Sequence, residues 1–343
     1  MRRRLFGIAA ALALIAVAAT SASAAKPGPG TSIGTARVFV SNPVEDLNDQ
    51  SLRDRKDSDA AVPAAAYHAV ALTHLDGTGF LRGQWAEIVS STGNLAYSPT
   101  NAFLYTRSQD EFEQVMAYYW VTESQKYIQT LGFGTRLRAV NMEAQRLRIN
   151  QWGIDNSFAT THKDEIRLGK GGVDDAEDGE VITHEYGHAI HFSQGFVFGS
   201  AEAGAISEGF GDYWAVTTTQ VVRARLGLPP LSDPACVADW DATSYDPTPP
   251  HCLRRVDSDL QYPDDLVGQV HADGRIWSRA LWDIRSAIGH VKADTVILEG
   301  QFHFPGTTMT ELATRTVAAA QQLYDSATAA QVRAQFVARG ILP

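Results

Sequence analysis

Two histidines four residues apart constrain this chain most, because they are useful together only on a helix that presents both rings on one side. His184 and His188 lie within residues 181–190, where apolar pairs flank them. Residues four apart on a helix differ by about 40° in direction and roughly 6 Å in height, so both rings can bind one Zn²⁺. Glu185 is then placed to accept a proton from a metal-activated water. The alternative is a helix with two solvated or core histidines.

A third protein ligand is expected after His188, since catalytic zinc sites usually hold three and leave one position for water. A histidine six residues on would complete one known arrangement, but Gln194 occupies that position. Glu208 follows after twenty residues, enough chain for a loop and the start of a second packed helix. Asp212 shares its helix face and can orient a ligating histidine. The small residues around both acids, which favour a close helix contact, are Gly204, Ala205, Gly209 and Gly211.

This pattern resembles the thermolysin-like zinc peptidases, in which an H-E-x-x-H helix is followed by a downstream glutamate. Segments 156–158, 253–255 and 269–277 extend the resemblance, which covers roughly residues 110–343. It implies an α+β fold of two lobes: a β-rich N-terminal lobe, residues 25–179, and a mainly helical C-terminal lobe, residues 180–343. The zinc-binding helix is expected between them.

The resemblance also implies a ligand set and a catalytic base. His184, His188 and Glu208 would bind one catalytic Zn²⁺, and Glu185 would be the general base on the zinc-activated water. His271 would stabilise the oxyanion of the transition state. The alternative for His271 is a surface histidine that precedes a helix.

Three further residues receive supporting roles from the resemblance. Asp212 would orient His184, while Asn156 and Arg254 would align the peptide substrate. The alternative for Arg254 is an ion pair with a nearby aspartate. The implied activity is hydrolysis of peptide bonds by a secreted zinc endopeptidase. An exopeptidase or short-peptide hydrolase of the same clan remains open, as does a non-catalytic secreted binding protein.

The chain departs from the family on the oxyanion side of the site. The tyrosine expected between the two metal-binding helices falls on Gly199, with Phe198 adjacent. His271 would then carry more of the role, or Tyr186 or Tyr213 would substitute.

An acidic run precedes the His184 helix: Asp174, Asp175, Glu177, Asp178 and Glu180. Carboxylates in a first helical turn favour the helix dipole, so helix capping with a solvated face is the preferred interpretation. The alternative is a Ca²⁺ site, because Ca²⁺ requires several oxygen ligands. Thr217, Thr218 and Thr219 stand where the family places calcium-binding acids after Asp212, which argues against calcium.

The N-terminus predicts export. Arginines at positions 2–4 precede an apolar run, residues 5–19, and a small-residue cleavage site ends at Ala24. Residues 1–24 are therefore interpreted as a secretory signal, with an uncleaved membrane anchor as the alternative. The net charge of −10 disfavours nucleic acid or an anionic membrane as a partner. The two cysteines, Cys236 and Cys252, are expected to form a disulfide outside the cytosol.

Periodicity predicts strands and then helices. Strands are expected at 36–40, 67–75 and 80–89, with short β-like runs between 137 and 168. One helix is expected from about residue 110 to Gly132, and the later helices near 181–193, 203–224, 272–289, 310–324 and 327–338. Residues 45–60 are expected to form a loop.

Overall fold

The computed structural model of the protein describes residues 30–90, 93–151 and 153–343. The predicted signal, residues 1–24, lies outside the described residues. Within the described ranges, none of the helices combines the length and apolar character needed to cross a membrane.

The first sheet has three strands. Its centre is β1 (Ser32–Val38), which is antiparallel to β2 (His68–Leu75) and parallel to β4 (Ala102–Phe103). Alternate residues of β1 are buried and exposed, as expected for a strand that covers a core on one face. The prediction of strands near residues 36–40 and 67–75 is confirmed, although β1 begins and ends earlier.

The second sheet has four strands in the order β3 (Ala86–Ser90), β5 (Gln145–Arg148), β7 (Glu165–Arg167) and β6 (Phe158–Thr160). The first three are parallel, and β6 runs antiparallel to β7 at the edge of the sheet. Residues 80–89 were expected to form a strand that pairs with β2. This is wrong except for an isolated bridge, because β3 pairs with β5.

Two helices belong to the N-terminal half. The short α1 (Pro43–Leu47) interrupts the expected loop, and its N-cap Asn42 accepts a hydrogen bond from the backbone of Glu45. The long α2 (Glu111–Leu131) ends at Gly132, which adopts the left-handed conformation that favours glycine. Most of α2 is buried, so it forms a central support beneath both sheets and the later helices.

The C-terminal half is mainly helical. Its six helices are α3 (Gly179–Ser193), α4 (Ala201–Leu226), α5 (Val270–Ile288), α6 (His290–Gln301), α7 (Met309–Leu323) and α8 (Ser326–Ala338). Five match the predicted helices to within a few residues. The sixth, α6, was not predicted; it begins directly after Gly289, whose positive φ breaks the helical path.

A small sheet lies within the helical half. It consists of β8 (Cys236–Val237) and β9 (Arg254–Arg255), which pair in antiparallel fashion. The predicted disulfide between Cys236 and Cys252 is present beside them. It closes the segment that carries Trp240 and Asp241, so this segment is anchored at both ends.

The helix α3 connects the two halves, because it packs against α2, α4 and β6. The largest hydrophobic core runs without a break from Ala36 in β1 to Phe336 in α8. The protein is therefore of mixed α/β architecture around one large core, with a smaller apolar cluster that contains Val237 and Val256. The division into two lobes at residues 179 and 180 coincides with the start of α3 and stays a prediction.

The disulfide should contribute measurably to stability. Because its cysteines are 16 residues apart, a Cys236→Ser/Cys252→Ser variant should lose about 3 kcal/mol of unfolding free energy through the added freedom of the unfolded chain. Urea unfolding of the variant and the wild type measures the difference. Reductant should lower the unfolding free energy of the wild type to that of the variant. An unfolding midpoint that changes neither with reductant nor with the substitutions would contradict the prediction.

Candidate metal centre and cleft

Three side chains from two helices bring their ligand atoms together. His184 and His188 project from α3, one turn apart, and Glu208 projects from α4. One ligand atom from each lies within 4.8 Å of the others. The imidazole planes are nearly perpendicular, with centroids 5.0 Å apart. The structure thus places the three predicted metal ligands at a common point.

The spacing of these atoms fits Zn²⁺. Zinc bonds of about 2.1 Å in tetrahedral geometry place neighbouring ligand atoms about 3.3–3.5 Å apart. Nε2 of His184 lies 3.3 Å from Oε2 of Glu208, and Nε2 of His188 lies 3.6 Å from Oε1 of the same carboxylate. Two imidazole nitrogens and one carboxylate are also a donor set that zinc accepts in catalytic sites.

Close helix packing makes this convergence possible. A Cβ atom at Gly211 of α4 would lie 2.7 Å from Nδ1 of His184, so any larger residue would displace the ring. A Cβ atom at Gly209 would lie 2.2 Å from the carbonyl oxygen of Gly274, so this position lets α5 approach. The small residues noted in the sequence therefore serve two helix contacts around Glu208.

Asp212 lies behind the first histidine. Its Oδ1 is 2.9 Å from Nδ1 of His184, which leaves Nε2 facing the metal position. Arg254, the first residue of β9, binds the same carboxylate through two nitrogens at 2.8 and 2.7 Å. Neither Asp257 nor Asp259, the pairs considered from sequence, is its partner. Because two nitrogens are engaged with Asp212, the remaining Nη1 is the nitrogen through which Arg254 could hold a substrate carbonyl.

Sequence analysis did not predict the side chain that contacts the second histidine, His188. Oγ of Ser207 lies 2.8 Å from Nδ1 of His188 and 3.0 Å from Nδ1 of His191. If His188 offers Nε2 to the metal, its Nδ1–H donates to Ser207, and the hydroxyl donates on to His191. The seven-residue spacing places His191 on the same helix face as His184, but it gives no indication of Ser207, which lies on the other helix.

The electrostatics of the ligands suit metal binding. Burial lowers the pKa of His188 to about 4, so its imidazole is neutral, as a ligand must be. Burial would also lower the pKa of His184, but the adjacent Asp212 and Glu208 outweigh it and raise the pKa to about 10. Burial opposes ionisation of Glu208, yet the histidines hold its pKa below the usual range. The carboxylates thus favour a positive charge at this point, which is the proton of His184 when no metal is bound and which a divalent cation would replace.

Glu185 lies beside the ligands without belonging to them. It is buried, and its Oε2 accepts no hydrogen bond from the described residues. Burial raises its pKa to about 7, with His184 opposing the shift. A buried carboxylate that stays close to both protonation states near neutral pH is suited to proton transfer.

His271 reaches the same point from α5. Its Nε2 lies 3.3 Å from Oε2 of Glu208, and its ring is half exposed. Nδ1 lies 2.9 Å from the amide of Gln269, the N-cap of α5. Neither tyrosine considered from sequence is available: the hydroxyl of Tyr186 binds Gln125, and the hydroxyl of Tyr213 binds Asp294, both in the core.

A cleft of about 570 Å³ opens over the metal position. Asn156 and the edge strand β6 form one stretch of its lining, and Phe192, Phe198, His271 and Arg254 line it elsewhere. Since β6 is an edge strand of its sheet, it is the kind of strand with which an extended chain can pair. The cleft also contains Tyr245, which sequence analysis did not single out.

The acidic run is buried rather than solvated. All five carboxylates are at most 3% exposed, which contradicts the predicted solvated face. The capping interpretation holds for Asp178, which accepts a hydrogen bond from the backbone of Glu180. Glu177 is paired with Arg107. The acidic run as a whole is buried because it lies between α2 and the segment after β8.

The alternative interpretation of the acidic run, a Ca²⁺ site, stays untested. Among the described residues, one group of converging ligand atoms consists entirely of aspartates: Asp155, Asp175 and Asp241. Glu180 is not a member of it. Instead, one oxygen of Glu180 accepts a hydrogen bond from the backbone of Ala238.

Comparisons with known proteins give a fold and no closer assignment. No protein-family model matches the sequence, and no curated protein matches it. Among solved structures, the chain is similar to the precursor of protealysin, a metalloproteinase from Serratia proteamaculans. The TM-score is 0.53 and the identity 17%, and the match covers 74% of this chain and 86% of that one. At this identity the likeness shows that the chain has a metalloproteinase-like fold.

The contact of Ser207 with His188 can be tested through metal affinity. Ser207→Ala should weaken zinc binding by about 10- to 100-fold, because supporting groups of this kind hold a ligand in place. Competition with a chromophoric chelator measures the affinity. Ser278→Ala, which removes another buried helical serine, is the matched control. Equal zinc affinity in the two variants would show that Ser207 does not contribute to zinc binding.

The buried carboxylates should make stability depend on pH. Burial raises the pKa values of Glu45, Glu180 and Asp239, and that of Asp178 to about 6. The folded state then binds more protons than the unfolded state, so unfolding free energy should fall as pH rises from about 4 towards 8. Thermal unfolding in chelator measures this dependence.

Asp239→Asn should raise the Tm at pH 8 and flatten the profile, because it removes one of the repelling charges. The exposed Asp264→Asn is the control, with little effect expected. A Tm that rises steadily from pH 5 to pH 8 in the wild type would contradict the prediction.

Proposed function

We propose that this protein is a secreted zinc endopeptidase that hydrolyses internal peptide bonds of proteins or peptides. The observation that carries the proposal is the convergence of His184, His188 and Glu208 beside a buried Glu185 at the floor of a cleft. The metalloproteinase-like fold supports it. A non-catalytic binding protein would not need this carboxylate next to a ligand set.

The bound metal would supply Lewis-acid polarisation of the water and of the substrate carbonyl. Glu185 accepts the proton that the attacking water loses, and later delivers it to the nitrogen of the leaving amine. Its burial favours the second step, since the protonated form is accessible near neutral pH. Asp212 and Ser207 hold the imidazole rings of His184 and His188 in a fixed orientation during both steps.

The negative charge that develops on the carbonyl oxygen requires a donor. His271 is the side chain placed to donate, since its Nε2 already approaches the metal position. Arg254 lines the same cleft and can direct Nη1 to a neighbouring carbonyl. Together they take the place of the tyrosine that is missing at Gly199.

The substrate would bind in extended form along β6. Antiparallel pairing to this edge strand would fix the backbone, and Asn156 at its start would contact a peptide group. The exposed aromatic surface of Phe198 would contact apolar side chains. This mode of binding recognises the backbone, which supports an endopeptidase.

Secretion is part of the proposal. The disulfide between Cys236 and Cys252 is typical of proteins outside the cytosol, and the N-terminal segment has the pattern of a signal. The acidic net charge supports protein or peptide substrates rather than nucleic acid.

Glu185→Gln tests the mechanism directly. The variant should retain one zinc per chain, because Glu185 is not a ligand, and should lose casein hydrolysis by at least about 10²-fold. Elemental analysis and a casein assay measure the two properties. Glu143→Gln, at an exposed position, is the control. Undiminished activity in Glu185→Gln would exclude the proposed role.

A further inference from the structure

Three aspartates outside the metal centre converge beside the same cleft, and two of them line it. Asp155, Asp175 and Asp241 each bring one carboxylate oxygen within 4.8 Å of the others. Asp175 and Asp241 line the cleft together with Glu185, and Asp175 is close enough to Glu185 for their charges to interact. We call these three aspartates the acidic recess. The mechanism proposed above does not use it.

The recess contains buried carboxylate oxygens that have no hydrogen-bond partner among the described residues. Asp175 and Asp241 are only 3% and 4% exposed, yet Oδ1 of each accepts no hydrogen bond from the described residues, and the same holds for Oδ1 of Asp155. The guanidinium of Arg254, a cation whose charge acts on Asp241, is bound to Asp212. Burial and mutual repulsion disfavour the ionised form of these carboxylates, and a cation that enters the recess would favour it.

The walls next to the recess are apolar. Val181, Val237, Ala238 and Leu253 pack together and line the cleft. Val181 lies one turn before Glu185 on α3, so this lining directly adjoins the reacting groups. Aliphatic walls that lead to carboxylates match a side chain with an apolar stem and a positive head.

We propose that the acidic recess binds the side chain of a lysine or arginine next to the scissile bond and so sets the cleavage specificity. This inference rests on the proposed peptidase function. The alternative occupant, Ca²⁺, requires six to eight oxygen ligands; three carboxylates supply at most six, and the apolar walls of the cleft supply none. An arginine or lysine needs only the carboxylates and the walls.

Cleavage of matched peptides by the zinc-loaded protein tests the proposal. The peptides have both ends blocked and differ in one residue, which is lysine, arginine, norleucine or glutamate, on either side of the cleaved bond. Lysine and arginine should exceed norleucine in kcat/KM by on the order of 10- to 100-fold, as expected for charge-assisted hydrogen bonds. Norleucine matches the stem of lysine without its charge.

Variants then assign the preference to the recess. Asp241→Asn should bring the lysine to norleucine ratio close to one while norleucine cleavage persists. Asp239→Asn is the matched control, since Asp239 is a buried aspartate of the same disulfide-closed segment outside the cleft, and it should keep the wild-type ratio. If Asp241→Asn does not fold, the half-buried Asp155→Asn provides the same test.

The outcomes separate this inference from the proposed function. Cleavage with equal rates for lysine and norleucine would overturn the inference and leave the peptidase intact. A lysine preference that is absent from the blocked peptides and appears only in a second series with a free N-terminus would overturn it in favour of recognition of the terminal amine. Tight Ca²⁺ binding that is lost in Asp241→Asn and abolishes the lysine preference would assign the recess to calcium. No cleavage of any peptide would instead refute the proposed function.

Discussion

The close contact between α3 and α4 is the constraint on which the site depends. Glu208 can meet His184 and His188 only because Gly211 leaves no side chain between the helices. The contact is supported on one side by the core around α2 and on the other by α5. Helix packing thus positions the ligands before any metal binds, and the metal would add to an arrangement that the apolar core already favours.

A series of polar contacts extends outward from this helix pair. On one side, Arg254 binds Asp212, which contacts His184; on the other, Ser207 joins His188 to His191. Because Asp212 is buried, loss of Arg254 would leave its carboxylate with His184 as the remaining partner, at a cost of up to about 3–5 kcal/mol. The outer residues therefore stabilise the fold and fix the ligand orientation at the same time.

The metal ligands could be predicted from sequence because their positions follow from helix geometry. Four-residue spacing fixes His184 relative to His188, and Glu208 and Asp212 share a face for the same reason. Ser207 was missed because its role depends on how the two helices are rotated against each other, which no single-helix pattern contains. The helix α6 was missed because Gly289 reads as the end of a helix, and nothing local shows that another begins at once.

The acidic residues show a second limit of prediction from the sequence. Asp174 to Glu180 were expected to be solvated, since charged runs at helix starts usually are, but α2 and the segment after β8 cover them. Asp241 and Asp155 join Asp175 from distant parts of the chain. Such convergence depends on tertiary structure, so the spacing of acids along the sequence could not reveal the acidic recess.

The segment between Cys236 and Cys252 links the two functions of the cleft. It carries Asp241 on its inner turn and leads directly into Arg254, while the disulfide and the β8–β9 pair anchor its base. The metal ligands all lie on α3 and α4, outside this segment. Substitutions at Asp241 can therefore change which side chain is accepted without moving the ligands, whereas changes at Arg254 reach His184 through Asp212. The proposed selectivity and the proposed catalysis would thus be separable at Asp241 and coupled at Arg254.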